Sequence, residues 1–123
     1  MRALPILAAL VALPIAPHAA DLAMIIRETG CHSPYSDEKK ANLFEKSYKG
    51  RLVRASGEIV RLDKDSLGLR VERASLFPDV EITLKVPGSG YDLRKNSQVK
   101  VTFRLTDQGG CILPYWGDLG EVR

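Results

Sequence analysis

Over most of the second half of the chain, hydrophobic and polar positions alternate with a period of two, the pattern of strands buried on one face. The longest such run covers 49–62. Within it Val53, Ala55, Gly57 and Ile59 share one register, and Leu52, Ser56 and Val60 share the other. A glycine inside a strand gives up packing and stiffness, so Gly57 predicts a bulge or bend where the strand passes from one sheet to another. Asp63-Lys64-Asp65-Ser66 ends the run as a polar turn. In a second strand Leu67, Leu69 and Val71 then oppose Arg70 and Glu72. In a third, Val80, Ile82, Leu84 and Val86 point inward and Glu81, Thr83 and Lys85 outward. Pro87-Gly88-Ser89-Gly90 is the strongest break in the chain, and Tyr91 to Asn96 reads as one helical turn. Val99, Val101, Phe103 and Leu105 make a fourth strand. After a turn at Asp107 to Gly110, Cys111-Ile112-Leu113 reads as a short fifth, and the tail from Pro114 onward shows no pattern.

Ahead of the strands the period changes. Asp21 to Gly30 is either a short helix or an extended lead-in, and Cys31 to Tyr35 has the Pro and Ser of a loop. Ser36 is a good N-cap, with Asp37 and Glu38 in the first turn where negative charge meets the positive helix end. Ala41, Phe44 and Tyr48 form a narrow apolar stripe and Gly50 a C-cap; Phe44 and Tyr48 are assigned to capping a barrel. The predicted fold is mainly β: a small five-stranded OB-like barrel with an N-terminal α-helix and a short helical turn between strands three and four. Closure of the barrel removes the exposed edges an open sheet of this size would present.

The first twenty residues fall outside this pattern. Met1-Arg2 is a short positive start, Ala3 to Ile15 has no charged side chain, and small residues precede Asp21, the layout of a secretory signal cut after Ala20. Pro5 and Pro14 interrupt the apolar run, which is shorter than the roughly 20 residues of a membrane-spanning helix. A lipid anchor on Cys31 is excluded by Glu28 three positions before it. Residues 21–123 are then expected to form one domain, too short for two separate cores.

Charge changes the picture little. Lys and Arg number 18 and Asp and Glu 15, for a net +3, without the clustered basic run that neutralising several phosphates requires. Nucleic acid is not an expected partner. The two cysteines, Cys31 and Cys111, are expected to pair as a disulfide in an oxidising compartment. A reactive thiol and a metal pair are the alternatives, and the spacings of a metal site are absent.

The segment from Asn42 to Leu105 carries Phe44, Tyr48-Lys49-Gly50, a central Gly57 in the first strand, the Asp65 to Gly68 turn and Tyr91-Asp92-Leu93-Arg94-Lys95-Asn96-Ser97-Gln98-Val99-Lys100-Val101. In these features it resembles the exported bacterial OB-fold proteins grouped as tRNA-anticodon-binding-like domains. The shared motifs are structural rather than catalytic, so the resemblance implies a fold and not an activity. The ending, Gly109-Gly110-Cys111 and a tail containing Trp116, departs from that pattern.

The inventory for chemistry is thin. After residue 20 there is one histidine, His32, and no nucleophile, base and orienting group stand in a recognisable pattern. Ser33 and Ser36 are read as turn and cap. Asp63 to Gly68 imitates a calcium loop, but Leu67 occupies a position that needs an oxygen ligand and Ala74 stands where a bidentate Glu belongs. No catalytic residue, metal or cofactor is assigned. In OB-folds the usual binding face surrounds the second and third strands and the loops flanking the sheet. That gives Arg70, Glu72, Glu81 and Lys85 as a candidate surface, with the plain alternative of cross-strand ion pairs on a wet sheet. Tyr115 and Trp116 are added because Trp is enriched at binding hot spots, against the alternative of plugging the core. The expected role is a secreted or periplasmic non-catalytic binding module for a protein or cell-envelope component, with no membrane span once the signal is cut. The alternative is a glycan-binding subunit of an OB-fold toxin-like assembly.

Overall fold

The computed structural model describes residues 19–72 and 76–123. The expected signal segment lies almost wholly outside them, and its expected cut after Ala20 falls between the two residues of the first strand, β1 (Ala20–Asp21). Helix α1 (Leu22–Thr29) follows at once, with the Asp21 carboxylate accepting from the Ala23 amide at 3.0 Å. Helix α2 (Asp37–Leu43) is capped by Ser36, whose hydroxyl accepts from the Lys39 amide at 3.2 Å, as its position predicts. The helix then widens into a π-turn, Phe44–Tyr48, and the chain turns at Gly50 with φ +83°. Widening changes the stripe. Phe44 and Tyr48 are buried, Leu43 packs against the core, and Ala41 faces solvent instead of continuing the row.

The remaining strands are β2 (Leu52–Leu62), β3 (Ser66–Arg70), β4 (Val80–Leu84), β5 (Gln98–Asp107) and β6 (Tyr115–Val122). They close as a ring in the order β2-β3-β4-β6-β5, with β5 returning to β2, β4 and β6 parallel, and the other pairs antiparallel. This is a small OB-like barrel. β1 lies outside the ring, parallel to β2. β2 serves both ends of the ring: Leu52 to Glu58 pair with β5, and Glu58 to Leu62 with β3. Gly57 sits at the change of partner, where a Cβ would stand 2.2 Å from the Arg70 carbonyl oxygen. The bulge itself lies later, between Ile59 and Arg61.

Inward residues of the strands, including Val53, Ile59, Leu69, Ile82 and Phe103, fill the barrel, and Leu22, Ile25, Phe44 and Tyr48 of the helical segments join the same buried cluster. The Tyr48 hydroxyl donates to Glu28 Oε1 at 2.6 Å, joining the π-turn to α1. Cys31 and Cys111 form a disulfide with Cα atoms 4.7 Å apart, linking the end of α1 to the β5–β6 loop.

Several boundaries differ from the sequence pattern. The fifth strand of the ring is Tyr115–Val122, and Cys111-Ile112-Leu113 is an exposed loop. The alternation of β6 is hidden because Gly117 and Gly120 occupy inward positions. A side chain at Gly117 would meet the Phe103 ring at 2.3 Å, and one at Gly120 the Ile82 side chain at 2.5 Å. The second and third predicted strands also end early, at Arg70 and Leu84, which leaves Val86 exposed. The helical turn falls at Ser89–Asp92, with Gly88 at φ +84°, rather than at Tyr91 to Asn96.

Candidate functional site

Three loops that meet at one end of the barrel form a groove of about 700 Å³. Ile26, Arg27 and Gly30 reach it from the end of α1. Cys31, His32 and Pro34 follow, the β3–β4 loop supplies Glu72 and Leu76 to Asp79, and the β5–β6 loop supplies Gly110 to Leu113. Tyr115 is the floor.

Each wall is held by identifiable bonds. Asp79 fastens the β3–β4 loop, its Oδ2 accepting from the Val71 and Glu72 amides at 2.6 and 2.8 Å. The Asp79 carbonyl accepts from the Tyr115 amide at 2.8 Å, so the loop is stitched to β6. The β5–β6 loop folds on itself through the Gly110 amide and the Leu113 carbonyl, at 2.9 Å. Gly109 is required there because a Cβ would lie 2.7 Å from the Tyr115 ring. The disulfide, together with the Gln108 Nε2 bond to the Thr29 carbonyl at 2.9 Å, ties this loop to α1.

On this frame stand four large apolar side chains that the barrel does not bury. Leu76 is 87% exposed, Phe77 59%, Ile112 76% and Leu113 66%. A contiguous apolar surface on two braced loops is the arrangement expected of a contact face, because its exposure to water is unfavourable until something covers it. Arg27, His32, Glu72 and Asp79 place both signs of charge around the apolar strip. Below it, Tyr115 is 3% exposed. Burial pushes its phenol above the ordinary value, with the Asp79 charge adding to the rise.

The residues singled out from the sequence are scattered by comparison. Arg70 pairs with Glu58 at 2.6 Å, and Lys85 pairs with Glu121 at 3.1 Å. Glu81 lies under Arg61, which donates from Nε at 2.7 Å. The space is available because Gly68 faces it, where a Cβ would be 2.8 Å from Glu81 Oε2. The carboxylate hydrogen bond in turn raises the Arg61 guanidinium above its ordinary value, outweighing burial. These three are therefore cross-strand ion pairs. Glu72 is at the rim of the groove and Tyr115 beneath it, buried rather than presented to a partner. Trp116 faces solvent on β6 and does not line the groove or plug the core. Leu76, Phe77, Ile112 and Leu113, which form the face, were not legible as a site. Two lie in a stretch with loop character and two were absorbed into a predicted strand.

Among the described residues no group of three or more His, Cys, Asp or Glu is placed to hold a metal ion, and no helix is long and apolar enough to cross a membrane. Comparisons of the chain with protein-family models, with curated proteins and with solved structures find no match, so the resemblance carried by residues 42–105 gains no support from them.

Proposed function

We propose that the protein is a secreted or periplasmic non-catalytic binding module whose groove takes an extended, partly apolar segment of a protein or cell-envelope component. The observation that carries this reading is the set Leu76, Phe77, Ile112 and Leu113, held in solvent on two loops that the disulfide and Asp79 brace. Burying one such side chain against a partner contributes about 1.5–3 kcal/mol, and a pre-braced groove loses little entropy on binding. Mixed charge at the rim supplies orientation. The disulfide fits an oxidising compartment.

Selection of random peptides on the oxidised protein tests the reading. The expected winners carry clustered apolar residues, and Phe77→Asp with Ile112→Asp abolishes their binding while Lys85→Glu does not. Absence of any enriched peptide, or binding that survives the groove substitutions, contradicts it.

A further inference from the structure

The face that lines the groove is built like half of a self-complementary contact. Its centre is apolar, and raised and hollow features stand side by side: Leu76, 87% exposed, projects beside a cavity of about 700 Å³ that Ile112 and Leu113 also border. Pro34 and Pro78 extend the apolar area at its edges. A stable pair of proteins buries about 800 Å² per partner, with an apolar centre and a polar rim. Four large exposed side chains with this surround are of that scale.

The rim carries one uncommitted charge of each sign. Arg27 comes from α1 and Glu72 from the end of β3, and neither side chain forms an ion pair among the described residues. Asp79 is already engaged, its Oδ2 accepting from the Val71 and Glu72 amides. Elsewhere on the barrel Arg61, Arg70, Lys85 and Arg104 each have a carboxylate partner. The two rim charges stand to either side of the floor. Tyr115 is tied to α1 through its hydroxyl, 2.7 Å from that of Thr29, and to the β3–β4 loop through its amide, 2.8 Å from the Asp79 carbonyl. A rim of one sign would call for a partner of the opposite sign. A rim with one charge of each sign on opposite sides matches its own copy, because a two-fold rotation about the centre lays each charge over the other.

We infer that the groove face is covered by the same face of a second copy, in a two-fold dimer in which Arg27 of each subunit meets the partner's Glu72 and the apolar loops pack across the axis. Both loops are braced already, so pairing orders little new chain. The net charge of +3 opposes it only weakly. Such a contact closes on itself, so assembly stops at two. Because the pair covers the groove, a bound segment and the second copy compete, and a ligand has to displace one subunit from the other. The inference rests on the shape and charge of this face and stands whether or not the groove takes an apolar segment.

Sedimentation velocity of the oxidised full chain, over a concentration series reaching the high micromolar range, tests it. The expected result is a reversible monomer–dimer equilibrium. Arg27→Glu alone and Glu72→Arg alone each weaken pairing by about tenfold or more, because each sets like charges against one another twice. An equal mixture of the two variants restores pairing, since each subunit then supplies the charge the other lacks, and that recovery shows both to be folded. Phe77→Asp gives a monomer, Lys46→Glu leaves the equilibrium unchanged, and a peptide selected on the groove shifts the protein to monomer. The proposal is overturned by a monomer at every concentration, by a closed ring of three or more copies, by variants whose mixture pairs no better than either alone, or by a selected peptide that binds without dissociating the dimer. A monomer that still binds selected peptides overturns this inference and leaves the binding reading standing. A dimer with the mixing behaviour described, on which no peptide is selected, supports this inference and contradicts that reading.

Discussion

The hydroxyls of Thr29 and Tyr115, 86 residues apart in the chain, share a hydrogen bond of 2.7 Å in the buried floor beneath the groove. Thr29 also donates to the Ile25 carbonyl at 2.8 Å, so in the shared bond Tyr115 is the donor. The end of α1 and the first residue of β6 are thereby fixed to each other beside the disulfide. Tyr115→Phe keeps the ring, which packs 6.2 Å from Phe44, and is expected to cost about 1 kcal/mol in denaturant unfolding. Tyr115→Ala removes the floor and is expected to cost about 3–5 kcal/mol.

Gly57 and Gly110 should respond oppositely to the same substitution. An added methyl at Gly57 strikes the Arg70 carbonyl at 2.2 Å, whereas at Gly110 nothing lies within 4 Å. Gly57→Ala is expected to destabilise by about 2–3 kcal/mol, as overpacking against backbone does. Gly110→Ala stays within about 0.5 kcal/mol of wild type. Equilibrium unfolding of the two variants side by side checks the pair.

Alkaline stability should follow Tyr48. Burial, then the hydrogen bond to Glu28, pushes its phenol up to about 12 from an ordinary 10.0. Above pH ~10 the unfolded chain releases a proton that the folded chain keeps, so stability falls as pH rises. The contribution, on the order of 2 kcal/mol, is fully present below pH ~10 and lost as pH passes ~12. Tyr48→Phe removes this part of the slope in unfolding curves collected across that range.

Reduction of the disulfide acts on stability and on the groove together. The bond spans 80 residues of sequence, and closing such a loop stabilises by about 4.5 kcal/mol in the chain-entropy model. Cys31→Ser with Cys111→Ser is expected to lose about 2–4.5 kcal/mol in denaturant unfolding. Amide exchange should accelerate most in the β5–β6 loop, whose remaining ties are the Gln108 side chain and the turn between Gly110 and Leu113.

Strands whose inward positions carry branched or aromatic side chains were legible in the sequence, as was the Ser36 cap. Gly57 signalled the change of partner along β2. β6 was not legible, because its inward Gly117 and Gly120 leave the apolar contact to Phe103 and Ile82 of neighbouring strands. The groove failed for the converse reason. Ile112 and Leu113 look like strand residues, yet the disulfide and the turn at Gly110 hold them in a loop facing water. Alternation reports what a strand buries in its own core. It does not report an apolar side chain kept for a partner.

Amide chemical-shift mapping of the oxidised protein with a selected apolar peptide tests the groove most directly. Saturable shifts concentrated at Ile26, Leu76, Phe77, Ile112 and Leu113, and lost after Ile112→Asp, are the predicted result. Shifts centred on Arg70, Lys85 and Trp116, with the groove silent, would contradict it.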